Sequence, residues 1–430
     1  MKFKSVIQNV GANLLITIFG LIGSVILARW LGPTQRGIFA AIILIPSILQ
    51  YFVNFGLSSA TIYFTALPNN NKHIIWNNIV IIGIIQSIIG VLLGWIIIDF
   101  YLSKFSSNSV QLGHIYLITL PLGLLGMYAT YMLQGASFFK ITNILKCIVP
   151  ACYCVSIITL KLQNVLSVES MIYAQILIQS VYLVVSVAFL YKFILRKLLF
   201  NIDLLQAQTM LNYSVKVWFG DISQLANSRI DQFLIGFFLT SKDLGIYTVA
   251  VSVAGFTSIF ANAIRTIIVP TVAGKNSFED KSNEIVFYFK KYWIFSLIFH
   301  PIFALNISLL VPYIFGNQYS ESVIISQILI IGYLFINAKT VLAGGIQGVG
   351  FPEIISIVEF IGMTISLIFG YLLIQNLGLL GVVISVSLAY FSQFVGLIIF
   401  TERKGIASSK NLLIPTLKEL KNITNKLIIR

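Results

Sequence analysis

Runs of twenty or more mostly apolar residues, each closed by a short polar break, recur along the sequence. They lie near residues 8–31, 37–66, 74–100, 110–135, 141–160, 168–193, 213–239, 244–272, 287–315, 322–347, 354–375 and 379–401. A helix rises 1.5 Å per residue, so a run of about 20 apolar residues crosses the hydrocarbon core of a bilayer. Twelve such runs predict an all-α integral membrane protein with twelve transmembrane helices. The first run follows a basic start but is too long for the apolar region of a signal peptide, and it reads as an uncleaved first span.

The longest polar break, rich in cations, separates six runs from six. It predicts an N-terminal lobe over residues 1–195, a cytoplasmic connection over 196–212, a C-terminal lobe over 213–401 and a basic tail over 402–430. The tail sequence LLIPTLKELKNITNKLII is mildly amphipathic and suits the surface of an anionic leaflet.

The two sets of six repeat one another. A shift of 208 residues lays LGPTQRGIF on LTSKDLGIY, pairing Leu31 with Leu239, Gly37 with Gly245 and Asn54 with Asn262. A shift of 213 lays LQGASFFKITNI on IQGVGFPEIISI, pairing Gln134 with Gln347. Six is even, so both sets cross in the same direction. The repeat is parallel, with a pseudo-twofold axis along the membrane normal. Two like bundles facing each other enclose a central cleft.

Composition agrees with this reading: 58% of the 430 residues are hydrophobic and 10% charged, against about a quarter charged in soluble domains. The formal charge of +14 would suit nucleic acid on a soluble surface, but the cations fall between the apolar runs and report orientation instead. With the N-terminus inside, twenty Lys and Arg lie on the cytoplasmic side. Five lie outside: Arg29, Arg36, Lys104, Lys161 and Lys242. Both termini are therefore expected in the cytoplasm. All five tryptophans fall near run ends, where amphipathic rings favour the headgroup layer.

Three cations, Arg229, Arg265 and Lys339, remain inside apolar runs. A charge there costs at least a few kcal/mol, so each needs protein or water around it. Arg229 and Asp231 are two residues apart and point to different faces of one helix. Asp221, Gln224 and Ser228 extend a polar strip below Arg229. That strip is either the cleft wall for an anionic, hydroxyl-rich ligand, Arg being suited to bidentate phosphate contact, or part of an ion pair with a neighbouring helix. Lys339 and Glu359 are equally far from the turn between their helices, near Val349, which favours a structural pair. Asp221, Asp231 and Glu359 are also candidates to bind a coupling proton or sodium ion. Arg265 has no partner in sequence and is the better candidate for substrate contact. Gln50, Asn54 and Asn262 either line the cleft or join helices.

No metal-ligand spacing occurs: Cys147, Cys152 and Cys154 share one apolar run, and His73, His114 and His300 are scattered. No GxxxxGK[ST] loop is present, so ATP is not used directly, and no cofactor is expected.

The stretches ILARWLGPTQRGIFA, SRIDQFLIGFFLTSKDLGIYTVA and LAGGIQGVGFPEI resemble the polysaccharide-export branch of the multidrug/oligosaccharidyl-lipid/polysaccharide flippase superfamily, nearest its O-antigen and capsule repeat-unit flippases. The resemblance extends to about residue 405. It implies a V-shaped pair of six-helix lobes in the bacterial inner membrane. It also implies a substrate, an oligosaccharide on undecaprenyl diphosphate, moved from the cytoplasmic to the periplasmic leaflet by alternating access. The family's cavity cations would fall on Arg29, Arg229 and Arg265. A polymerase and a chain-length regulator of the same pathway are candidate partners. Fewer basic residues in the first two helices than in lipid II flippases make lipid II a poorer substrate.

Two rival functions remain. A multidrug extruder of the same fold would need an acidic cleft for cationic drugs. A polysaccharide polymerase, an enzyme, would need a sizeable outer loop or an acidic metal motif, and neither is present.

Overall fold

The computed structural model describes residues 3–68, 70–197 and 199–414, and among these it is all-helical. The α-helices are α1 (Phe3–Asn54), α2 (Leu57–Ala66), α3 (Lys72–Leu102), α4 (Ser107–Tyr116), α5 (Thr119–Gly135), α6 (Phe139–Leu162), α7 (Val168–Leu190) and α8 (Leu204–Phe238). They continue with α9 (Ser241–Gly255), α10 (Ser258–Ala273), α11 (Phe278–Phe315), α12 (Ser322–Val349), α13 (Glu353–Leu377), α14 (Leu379–Arg403) and α15 (Ser409–Leu413). Among the described residues nine helices are long and apolar enough to cross a membrane, and ten when α9 and α10, bent by 46° at their break, are taken as one. Two further crossings complete twelve: α1 divides into two arms at Gly32, and α8, 35 residues long, has its apolar run interrupted by Lys216, Asp221, Arg229 and Asp231. The basic tail beyond residue 414 lies outside the described residues.

Sequence explains how the paired arms begin. Gly32 has φ 75° and ψ 170°, a conformation open only to glycine. Pro33 then starts the second arm of α1, where its fixed φ suits the first helical turn. Pro33 has no N–H for the carbonyl of Arg29 one turn back. The Gln318 amide donates to that carbonyl at 3.2 Å instead, and the buried Tyr319 hydroxyl donates to the Ala28 carbonyl at 3.0 Å. At the repeat-related position α9 starts differently. Thr240 and Asp243 form reciprocal hydrogen bonds, with Asp243 Oδ2 accepting from the Thr240 N–H at 3.0 Å and Thr240 Oγ1 accepting from the Asp243 N–H at 3.2 Å, the capping-box arrangement.

The chain forms two compact units. One comprises Met1–Ser252, Val311–Ser322 and Leu377–Leu379; the other comprises Val253–Leu310, Val323–Asn376 and Leu380–Arg430. In the first, α1 packs on α6, α3 and α8, and α5 packs on α7, α2 and α3. Lipid is as apolar as leucine, so association depends on close packing and interhelical hydrogen bonds. Tyr128 of α5 donates to Gln86 Oε1 of α3 at 2.6 Å, and Gln86 Nε2 donates to the Asn54 carbonyl at 3.2 Å.

The run 37–66, predicted as one span, is broken at Phe55–Gly56 between α1 and α2. Asn54 Oδ1 accepts from the Ser58 N–H at 3.2 Å and the Ser58 hydroxyl at 2.9 Å, supplying the start of α2 with an acceptor. Trp218 of α8 covers the break: its ring stacks on Phe55 with centroids 4.4 Å apart, and its indole N–H donates to the Phe52 carbonyl at 3.0 Å.

The second unit is built on a core of Phe289, Trp293, Leu342, Ile346, Phe394 and Leu397, with the Trp293 and Phe394 rings 5.4 Å apart. The short α15 docks there through Leu412, which is fully buried, while Trp293 Nε1 donates to the Leu413 carbonyl at 3.2 Å.

Candidate functional site: a cavity with two guanidinium groups

Because α1 resumes at Pro33, Arg36 already lies one turn inside a helix. It does not reach the outer surface, as the cation count in sequence expects, but is buried with 9% of its surface exposed. Its Nη2 donates to Ser24 Oγ at 3.1 Å, and Ser24 Oγ lies 2.9 Å from Ser252 Oγ. The guanidinium also reaches the Tyr153 hydroxyl. Arg36 Nε is buried and has no hydrogen-bond partner among the described residues.

Arg36 faces a cavity of about 260 Å³ shared with Arg229. Ser47, Tyr153, Gln232 and Ser252 add polar groups to its wall, and Phe39, Ile43, Leu44 and Val251 add apolar side chains. Arg229 is exposed, and its Nη1 contacts Gln232 Oε1 at 3.4 Å. Asp231, two residues on, faces away from the solvent and is 4% exposed. One of its oxygens accepts from the Gln232 N–H at 2.7 Å and the other from the Tyr247 hydroxyl. No ion pair joins Arg36 or Arg229 to a carboxylate among the described residues.

The cavity therefore presents two planar guanidinium donors to a partly open space of mixed polar and apolar lining. An anion with several oxygens, such as a phosphate or diphosphate, matches that donor geometry. A small cation would meet repulsion there.

The other residues singled out in sequence lie elsewhere. Arg29 is exposed at the end of the first arm of α1 and does not line the cavity. Gln50 lies against Gly123 of α5, and Asn54 caps α2. Asn262 is exposed on α10. Arg265 is half-buried, with Nη2 3.5 Å from Gln347 Oε1. Lys339 Nζ donates to Glu359 Oε1 at 2.7 Å, and both residues are buried. The Asp221 side chain lies outside the described residues. Sequence reasoning missed Arg36, Ser24, Tyr153 and Ser252. For Arg36 a signal existed: a proline after glycine starts a helix, so a residue three further on belongs to that helix and not to a loop.

A family model described as "Polysaccharide biosynthesis protein" matches residues 26–324. The membrane protein MJ1068 of Methanocaldococcus jannaschii is 22% identical over 86% of this chain and 78% of its own length. The capsular polysaccharide biosynthesis protein CapF of Staphylococcus aureus is 26% identical over 47% of this chain and 51% of its own length, so the match spans about half of that relative. Among solved structures, the lipid II flippase MurJ in an inward closed conformation superimposes with a TM-score of 0.75 at 14% identity, covering 95% of this chain and 90% of that one. An inward-facing multidrug resistance MATE family transporter of the MOP superfamily gives a TM-score of 0.72 at 14% identity, covering 93% and 98%. These two likenesses establish a common fold.

Proposed function

Given that the chain belongs to the polysaccharide biosynthesis protein family, we propose that it is a flippase carrying oligosaccharide repeat units on undecaprenyl diphosphate from the cytoplasmic to the periplasmic leaflet of the bacterial inner membrane. The units would serve O-antigen or capsule synthesis. The carrying observation is the pairing of Arg36 and Arg229 on one cavity with no carboxylate bridged to either among the described residues. A diphosphate leaving water loses its hydration at prohibitive cost unless fixed donors replace it. Two guanidinium groups supply such donors, while the polyprenyl tail stays in lipid.

In this reading the two sequence halves, 1–195 and 213–401, are the lobes that alternate access, and 196–212 joins them on the cytoplasmic side. The termini are cytoplasmic, as the cation asymmetry indicates. Arg265 is a second contact for the sugar-diphosphate head, with Arg29, Gln50, Asn54 and Asn262 as weaker candidates. Asp221, Asp231 and Glu359 are candidates for a coupling ion. The protein acts as a transporter and not as an enzyme. The MATE-like fold keeps a multidrug exporter as the second reading, but the basic cavity disfavours cationic drugs.

The test is replacement of Arg36 and Arg229 by alanine in the producing strain, followed by analysis of lipid-linked intermediates. Complete repeat units should accumulate on the cytoplasmic leaflet with the protein at normal membrane abundance. Normal surfacing of the units with missing long chains would overturn the reading in favour of a polymerase.

A further inference from the structure

The connection between α7 and α8 reads in sequence as polar and basic, yet its described side chains are largely apolar and bare. Phe200 is 81% exposed, Leu204 80% and Leu205 74%, with Leu199 and Ile202 beside them. Exposed leucine and phenylalanine at such density mark a surface that is covered in use.

Part of its main chain is met by α3. Asn77 Nδ2 of α3 donates to the carbonyls of Leu199 at 2.8 Å and Asn201 at 3.0 Å. Asn78 forms a reciprocal pair with Asp203, its Nδ2 donating to the Asp203 carbonyl at 2.9 Å and its Oδ1 accepting the Asp203 N–H at 3.3 Å. Asp203 then caps α8 through the Gln206 N–H at 3.0 Å. Two asparagine side chains thus pin an irregular segment by its polar groups and leave its apolar side chains facing outward. Carbonyls at 199, 201 and 203 that are met by protein lower the cost of lying where water is scarce.

Depth follows from the anchor. Asn77 and Asn78 lie roughly 7–9 Å along α3 from Lys72 at 1.5 Å per residue. The segment therefore sits level with the first two turns of α3, a helix long and apolar enough to cross the membrane. Lys192, Arg196 and Lys197 precede it closely, against one acid, Asp203.

We infer that residues 199–205 form a ledge that inserts its apolar side chains into a leaflet of anionic lipid, with the flanking cations on the phosphate headgroups. Assigning the cytoplasmic leaflet rests on the orientation proposed above; the insertion itself does not. The ledge fixes the height at which α8 enters the membrane.

The full-length protein carrying photoreactive p-benzoylphenylalanine at position 200, and separately at 204, is reconstituted in nanodiscs of phosphatidylglycerol and phosphatidylethanolamine, irradiated and analysed by mass spectrometry. Lipid adducts enriched in phosphatidylglycerol over its mole fraction are expected at both positions, with the enrichment lost in the Arg196→Gln/Lys197→Gln variant. An unreacted ledge, lipid adducts with no phosphatidylglycerol enrichment, or adducts to residues 415–430 of the same chain would overturn the inference. A well-folded protein is confirmed by its melting temperature, and transport is not part of the readout, so failure here leaves the flippase reading standing.

Discussion

Gly37 of α1 and Gly245 of α9 face each other backbone to backbone. A Cβ on Gly37 would stand 1.7 Å from the Ser241 carbonyl oxygen, and one on Gly245 would stand 1.9 Å from the Pro33 carbonyl oxygen. The pairing is reciprocal, and the 208-residue shift relates Pro33 to Ser241 and Gly37 to Gly245. The internal repeat thus meets itself at a crossing where only hydrogen fits.

Gly37→Ala and Gly245→Ala should each push the two backbones apart. The expected loss is at or above the upper end of the about 1–3 kcal/mol typical of overpacking. Thermal melting of the purified protein in detergent reads it. Gly11→Ala, where no atom of another helix among the described residues lies within 4 Å of the added Cβ, serves as the control, and equal melting of all three variants would contradict a tight crossing.

The Lys339–Glu359 pair gives a second expectation. Leaving one partner alone in a dry interior costs about 3–5 kcal/mol, whereas replacing both with apolar residues of similar size is close to neutral. Lys339→Met and Glu359→Leu should each lower the melting temperature strongly, and the double variant should recover most of it. A double variant as unstable as the singles would point to further partners of Glu359 or Lys339.

Tyr247 makes a third case. Tyr247→Phe leaves one oxygen of the buried Asp231 carboxylate without its hydroxyl donor, at about 1–3 kcal/mol. Adding Asp231→Asn removes the negative charge and should return part of that loss. The double-mutant cycle, measured by thermal melting, would show no coupling if the hydroxyl and carboxylate were independent.

Charge alone is not expected to suffice in the cavity. Arg36→Lys keeps a cation but loses the planar fork and its bond to Ser24. Export should fall nearly as far as in Arg36→Ala, with membrane abundance unchanged. Full export by the lysine variant would make Arg36 a point charge and not an oxyanion clamp.

The spans were legible because an apolar run of bilayer length has few alternatives, and Lys339 and Glu359 could be placed at one depth by counting from their turn. The break at Phe55–Gly56 carried only a short mark, Asn54, Gly56, Ser58 and Ser59, within a run from 37 to 66 that is otherwise mostly apolar. Arg36 was misplaced because a polar string, PTQR, resembles a loop, although Pro33 had already started the helix. The ledge at 199–205 was hidden by its cationic neighbours, which dominate the composition of the stretch. Its orientation depends on Asn77 and Asn78, more than a hundred residues away in sequence.

The missing N–H of Pro33 has one more result. It leaves a carbonyl at Arg29 that the helix cannot serve, and the turn between α11 and α12 serves it with Gln318, next to the Tyr319 bond to Ala28. A flaw in one helix has become a mooring for another stretch of chain, so any motion that lifts this turn must first cast off both lines.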